Sequence, residues 1–122
     1  MIVLPFPPAS LSGHAKGNWH GKSAATKHQR KTACERTSKA GVTVPDEGDI
    51  LIHFHFVPRD KRGDRVNFPI RIKAVIDGIA DALGVNDSRF LPSYSFSEPA
   101  PRNPRVEVTI GDAVAGLPKG EG

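Results

Sequence analysis

The sequence predicts a small α+β fold: a mixed sheet with two helices packed on it, in the order β-α-β-α-β-β. Three observations lead there. The run "ILIHFHFV" alternates with period two, so Ile50, Ile52, Phe54 and Phe56 fall on one face and Leu51, His53, His55 and Val57 on the other. The run "IRIKAVIDGIADALG" instead repeats at three and four residues, and Ile72, Val75, Ile76, Ile79, Ala82 and Leu83 form one apolar helical stripe. A chain of 122 residues has room for one domain and one modest core.

Each element has its own local reason. "MIVLPFPP" begins as a strand that Pro5, Pro7 and Pro8 stop, which places it at a sheet edge. Residues 9–25, with Gly13, Gly17 and Gly21, lack periodicity and read as a long loop. Ser23 can cap a helix from about Ala24 to Lys39, closed by Gly41. The strand at 50–57 follows. Pro69 suits the first turn of a helix over 70–83, where its missing amide hydrogen costs nothing, and Gly84 ends it. "RFLPSYSFSE" reads as a strand made irregular by Pro92, and "RVEVTI" as a final strand with Val106, Val108 and Ile110 on one face. Residues 1–112 thus form a single domain and 113–122 a loose tail.

Composition narrows the class. Seventeen basic residues against thirteen acidic give a net charge of +4, a weak positive balance that permits nucleic-acid binding and equally suits other polyanions. Cys34 is alone, which excludes an intrachain disulfide and a cysteine-based zinc site and reads as a buried structural thiol. No apolar run approaches the ~20 residues of a membrane span, and the N-terminus lacks the pattern of a signal peptide. A cytoplasmic protein is the expectation. Phosphate-cradling "GxxxxGK[ST]", "HExxH" and "GxSxG" are all missing, so neither redox nor acyl-transfer chemistry is supported.

What remains for chemistry is a set of carboxylates at loop and helix boundaries: Asp60 and Asp64 before the second helix, Asp87 just after it. Such positions suit magnesium, a hard ion that keeps several waters and binds phosphates. They equally suit ordinary turns, which are rich in aspartate. Lys73, Asp77 and Asp81, four apart, form either a solvated ladder or the rim of a site. His53 and His55, neighbours on one strand face, could supply two metal ligands, with no third histidine or cysteine evident; half-buried histidines facing a helix or a partner are the alternative.

Beyond these readings, "LPFPPAS", "PRDKRGDRVN", "IKAVIDGIADALGVNDSRF" and "RVEVTI" together resemble the RusA family of Holliday junction resolvases over about 110 residues. The resemblance implies an α+β homodimer, found in bacteria and prophages. It implies a requirement for Mg2+, with Mn2+ as a substitute, and paired cuts in four-way DNA junctions during recombination and repair. The family's catalytic set is an aspartate pair spaced D-x-D before an asparagine, a helical lysine, and an aspartate in the turn after the helix. Carried over, these are Asp64, Asn67, Lys73 and Asp87, with Asp64 and Asp87 holding the metal. Three extra residues separate Asn67 from Lys73, and Asn86 stands where many relatives have another aspartate.

The second member of the aspartate pair falls on Val66, which has no ligand atom. Three consequences compete: Asn67, Asp60 or Asp77 fills the gap; the site works only at high magnesium; or the protein binds branched DNA without cutting it. Lys22, Lys27, Arg30, Lys31, Arg59, Lys61, Arg62 and Arg65 become candidate phosphate contacts. Trp19, read as part of the glycine-rich loop, is a candidate wedge at the junction centre or else a loop anchor. A helix over 70–83 is about 20 Å long and puts Asp64 and Asp87 beyond opposite ends. A shared metal then requires the loop to fold back or a site composite across the dimer. A housekeeping protein with a merely charged turn is the reading from another class.

Overall fold

A computed structural model of the chain describes residues 1–8, 19–61 and 65–111, and does not extend to the side chains of Trp19, His20, Lys22, Val66 and Asn67. The architecture is the expected α+β fold. The elements are β1 (Ile2–Pro5), α1 (Trp19–Ala40), β2 (Ile50–Val57), a 3-10 segment (Arg65–Ile72) leading into α2 (Lys73–Leu83), a short 3-10 turn (Asp87–Arg89), β3 (Phe90–Phe96) and β4 (Arg105–Ile110).

The four strands form one mixed sheet in the order β1-β4-β2-β3. β2 runs parallel to β3 and antiparallel to β4, and β1 is antiparallel to β4 at one edge, where its prolines are tolerated. A parallel neighbour demands a crossover, and α2 supplies it. The stretch from Arg59 to Ile72 is therefore the entry to a βαβ crossover.

The alternation in β2 holds in space. Ile50, Ile52, Phe54 and Phe56 are buried with Ile2, Leu4, Val106, Val108 and Ile110, under Ala33 of α1 and Ile72, Val75 and Ile79 of α2. The opposite face of the sheet leaves Val3, Leu51 and Leu91 exposed. Val57 belongs by register to that second face yet is buried, because the chain after β3 is tied across the end of β2 by hydrogen bonds from Ser97 N–H to Phe56 O and from Ala100 N–H to Pro58 O.

The helices meet at Gly78. A Cβ there would run into the backbone carbonyl oxygen of Arg30 and touch the Ala33 methyl, so the two backbones approach as closely as a glycine allows.

Four expectations are corrected. α1 begins at Trp19, so Ser23 lies inside the helix and does not cap it, and Trp19 opens the helix instead of hanging in a loop. The single glycine at 21 costs about 1 kcal/mol of helix propensity, which a 22-residue helix absorbs. The second helix is α-helical only from Lys73, and Pro69 falls inside the preceding 3-10 segment instead of in the first α-helical turn. β3 is regular through Pro92, since an edge strand does not need every N–H. Cys34 is half-buried, not fully buried. The expected tail lies outside the described residues, apart from the turn at Gly111.

Candidate active site

α2 stops sharply. Gly84 takes the left-handed conformation at φ 66°, and its N–H and that of Val85 return to the last carbonyls of the helix. Asn86 then caps the next turn, its side-chain oxygen accepting from Ser88 N–H at 2.9 Å. These two devices reverse the chain against the helix and present Asp87 to it. Asn86 thus has a structural task of its own.

The result is a three-residue constellation. Lys73 Nζ donates to Asp77 Oδ1 at 2.8 Å and to Asp87 Oδ2 at 3.0 Å. Asp77 is one turn along α2, whereas Asp87 is fourteen residues away and reaches Lys73 only through the reversal. The Lys73 pKa is raised, first by the Asp77 hydrogen bond and then by that from Asp87. With its side chain 67% exposed, the ammonium contributes little to stability and remains accessible to a ligand.

Asp77 and Asp87 thereby place two carboxylates around one positive charge. Their donor chemistry fits magnesium, which is commonly held by one or two carboxylates and completed by water and phosphate oxygens. Among the described residues no group of three or more His, Cys, Asp or Glu side chains is gathered for a metal, so Asp77 and Asp87 are a pair and no more. Asp64, Arg62, and the side chains of Val66 and Asn67 lie outside the described residues.

The ladder Lys73, Asp77, Asp81 divides. Asp81 turns to α1 and receives both arms of Arg30, Nε at 2.7 Å and Nη2 at 2.9 Å. That bidentate bond lowers the Asp81 pKa and raises that of Arg30. Arg30, expected to face phosphate, is therefore engaged in joining the two helices.

The other basic candidates are distributed as follows. Lys27 and Lys31 are exposed on α1; Arg59, Lys61 and Arg65 are exposed at the crossover entry. Asp60 there is half-buried and has an interaction of its own. The side chains of Lys22 and Trp19 are outside the described residues.

Two features have no signal in the local sequence. Arg71 lies over the Phe68 ring at 5.1 Å, with burial lowering its pKa, while its carbonyl accepts from Gln29 Nε2 at 3.0 Å. Tyr94 and Phe96 stack beside Phe54 and Phe56 at 5.8 and 5.5 Å, yet each is 38% exposed on the β3 edge. Parallel pairing of β2 with β3 creates that aromatic border, and parallel pairing is a tertiary choice that no local pattern announces.

No family model matches the chain. It is 33% identical, over 113 residues, to an uncharacterized protein of Xylella fastidiosa, an alignment spanning 89% of this chain and 74% of that relative. The chain belongs to the same family as that Xylella fastidiosa protein.

Proposed function

We propose that this protein is a magnesium-dependent endonuclease of the junction-resolving kind, a homodimer that binds four-way DNA and makes paired phosphodiester cuts. One observation carries the reading. The resemblance to RusA assigns Lys73 and Asp87 to one catalytic site, and the fold independently brings them into contact at 3.0 Å. Asp77 joins them at 2.8 Å from the same Nζ, which supports the first of the three consequences of Val66: a nearby carboxylate stands in for the one it replaces.

In this reading Asp87 and Asp77, with Asp64, hold the metal, which supplies Lewis-acid chemistry to the phosphodiester. Lys73 exchanges its carboxylate partners for phosphate oxygens and offsets charge developing during in-line attack by water. Lys27, Lys31, Arg59, Lys61 and Arg65 contact backbone phosphates, which gives salt-sensitive affinity with little sequence readout. Two symmetric sites in a dimer match the two strands to be cut.

A labelled four-way junction incubated with magnesium tests this against a non-cutting, branched-DNA-binding dimer of the same fold. Cutting by the natural protein, abolished with retained binding in Asp64→Asn and Asp87→Asn, is the expected result. Binding without cutting at any magnesium concentration would establish the non-catalytic alternative. Equal affinity for linear and branched DNA would refute both.

A further inference from the structure

The face of the sheet turned away from the helices holds a second cluster. His53 and His55 lie on it, and across the parallel pairing their partners on β3 are Ser93 and Ser95. His53 Nδ1 is 2.6 Å from Ser93 Oγ; His53 Nε2 and His55 Nδ1 are 2.7 and 2.6 Å from Ser95 Oγ. One oxygen thus touches a nitrogen of each ring. A serine hydroxyl has a single proton, so Ser95 donates to one imidazole and accepts from the other. On the opposite side β4 places Glu107 directly across from His55, and Thr109 across from His53.

We propose that His53 and His55, with Glu107 as third ligand, form a binding site for a first-row transition-metal ion of the zinc, nickel or copper type. Convergence comes first: Nε2 of one ring and Nδ1 of the other already aim at a common point, on two residues fixed in a central strand. The outer partner of His53 comes second. A ligating histidine characteristically gives its other ring N–H to an oxygen acceptor, which fixes the tautomer and aims the lone pair. Ser93 is placed to accept that proton, so the Nε2 lone pair, which now meets Ser95 Oγ, coordinates once the ion displaces that hydroxyl.

The third ligand needs one exchange. Glu107 now accepts from Arg105 Nε at 2.7 Å on its own strand. Arg105 Nη1 also donates to Asn103 O at 2.9 Å, so releasing the carboxylate does not strand the guanidinium. No three such groups are gathered among the described residues as they stand, so the ion itself has to draw Glu107 across. Two imidazoles and a carboxylate suit zinc, nickel or copper, whereas magnesium prefers oxygen ligands alone. The site is therefore chemically distinct from the Asp77–Asp87 pair, and it stands on the other side of the sheet.

Calorimetric titration of the full chain with zinc chloride or nickel chloride tests the site. One binding event is expected, weakened at least tenfold in His53→Ala and in His55→Ala, and kept in Ser95→Ala, whose hydroxyl the ion displaces. Because His14, His20 and His28 could also bind metal, a variant with all three changed to alanine must retain that event. In the unsubstituted protein, metal addition should shift the ring resonances of His53 and His55, a readout that no folding defect can imitate. Unchanged affinity in His53→Ala or His55→Ala, or unmoved resonances of those rings, would overturn the proposal. Unchanged affinity in Glu107→Gln would overturn the three-ligand arrangement.

Discussion

Lys73 and Asp87 lie fourteen residues apart in the chain and 3.0 Å apart in space. The sequence places them at opposite ends of a helix; the left-handed Gly84 and the Asn86 cap turn the chain back so that they meet. If this pair belongs to a catalytic site, Lys73→Ala should lower junction cutting by about 100-fold or more, the scale of removing one charge-stabilising donor. The same change should move unfolding stability by only about 0.2–1 kcal/mol, since the ion pair is exposed. Thermal denaturation alongside the cleavage assay separates the two effects.

In the proposed site Asp77 compensates for Val66. Asp77→Asn should reduce cutting and raise the magnesium concentration needed for half-maximal rate. Adding Val66→Asp should restore much of the activity, a coupling that a double-mutant cycle measures directly. Additive effects of the two changes would show that they do not serve one site.

The helix crossing makes a prediction about stability alone. Gly78→Ala sets a methyl against the Arg30 carbonyl, which is backbone and cannot swing aside. The helices must part, at a cost of about 1–3 kcal/mol by the usual scale of overpacking, read as a lower urea midpoint. Arg30→Ala, by comparison, removes only an exposed ion pair and should cost much less.

DNA affinity should sort the basic residues. Substituting Arg59, Lys61 or Arg65 with alanine should each reduce the salt slope of binding by about 0.9, the value for one phosphate no longer neutralised. Arg30→Ala should leave that slope unchanged, because its guanidinium is held by Asp81. Fluorescence anisotropy across a range of salt concentrations distinguishes them.

His53 gives a pH dependence. Its pKa is lowered, first by burial and then by the neighbouring His55, so the unfolded chain takes up this proton before the folded one. Stability should be full above about 6.5 and decline as pH falls from there through the lowered folded value. His53→Gln should flatten that stretch of the profile in chemical denaturation.

How much of this is legible in the sequence depends on the range of the forces involved. The strand at 50–57 and the stripe from Ile72 to Leu83 can be read because burial imprints its own period on sequence. The start of α1 cannot, since Gly21 resembles loop chemistry and only the length of the whole helix outweighs it. The α-helical start at Lys73 is hidden because Pro69 suits the first turn of a 3-10 or an α-helix alike, and the local pattern does not distinguish them. The site is half legible. Lys73 and Asp87 come from resemblance and Asp77 from the four-residue ladder, but the meeting of Asp87 with Lys73 needs the reversal at Gly84, and the diversion of Arg30 to Asp81 needs the helix crossing. Ser95 between two histidines cannot be foreseen without the register of a parallel pair.

We propose Lys73, Asp77 and Asp87 as a magnesium-dependent site for cutting branched DNA. Its most direct measurement is the rate of four-way junction cleavage over a magnesium titration, with the natural protein, Asp87→Asn and Val66→Asp side by side. Saturable cutting by the natural protein, none above background by Asp87→Asn, and a lower magnesium requirement in Val66→Asp are the expected results. Cutting by Asp87→Asn at the natural rate, or no cutting by either the natural protein or Val66→Asp at any magnesium concentration, would contradict it.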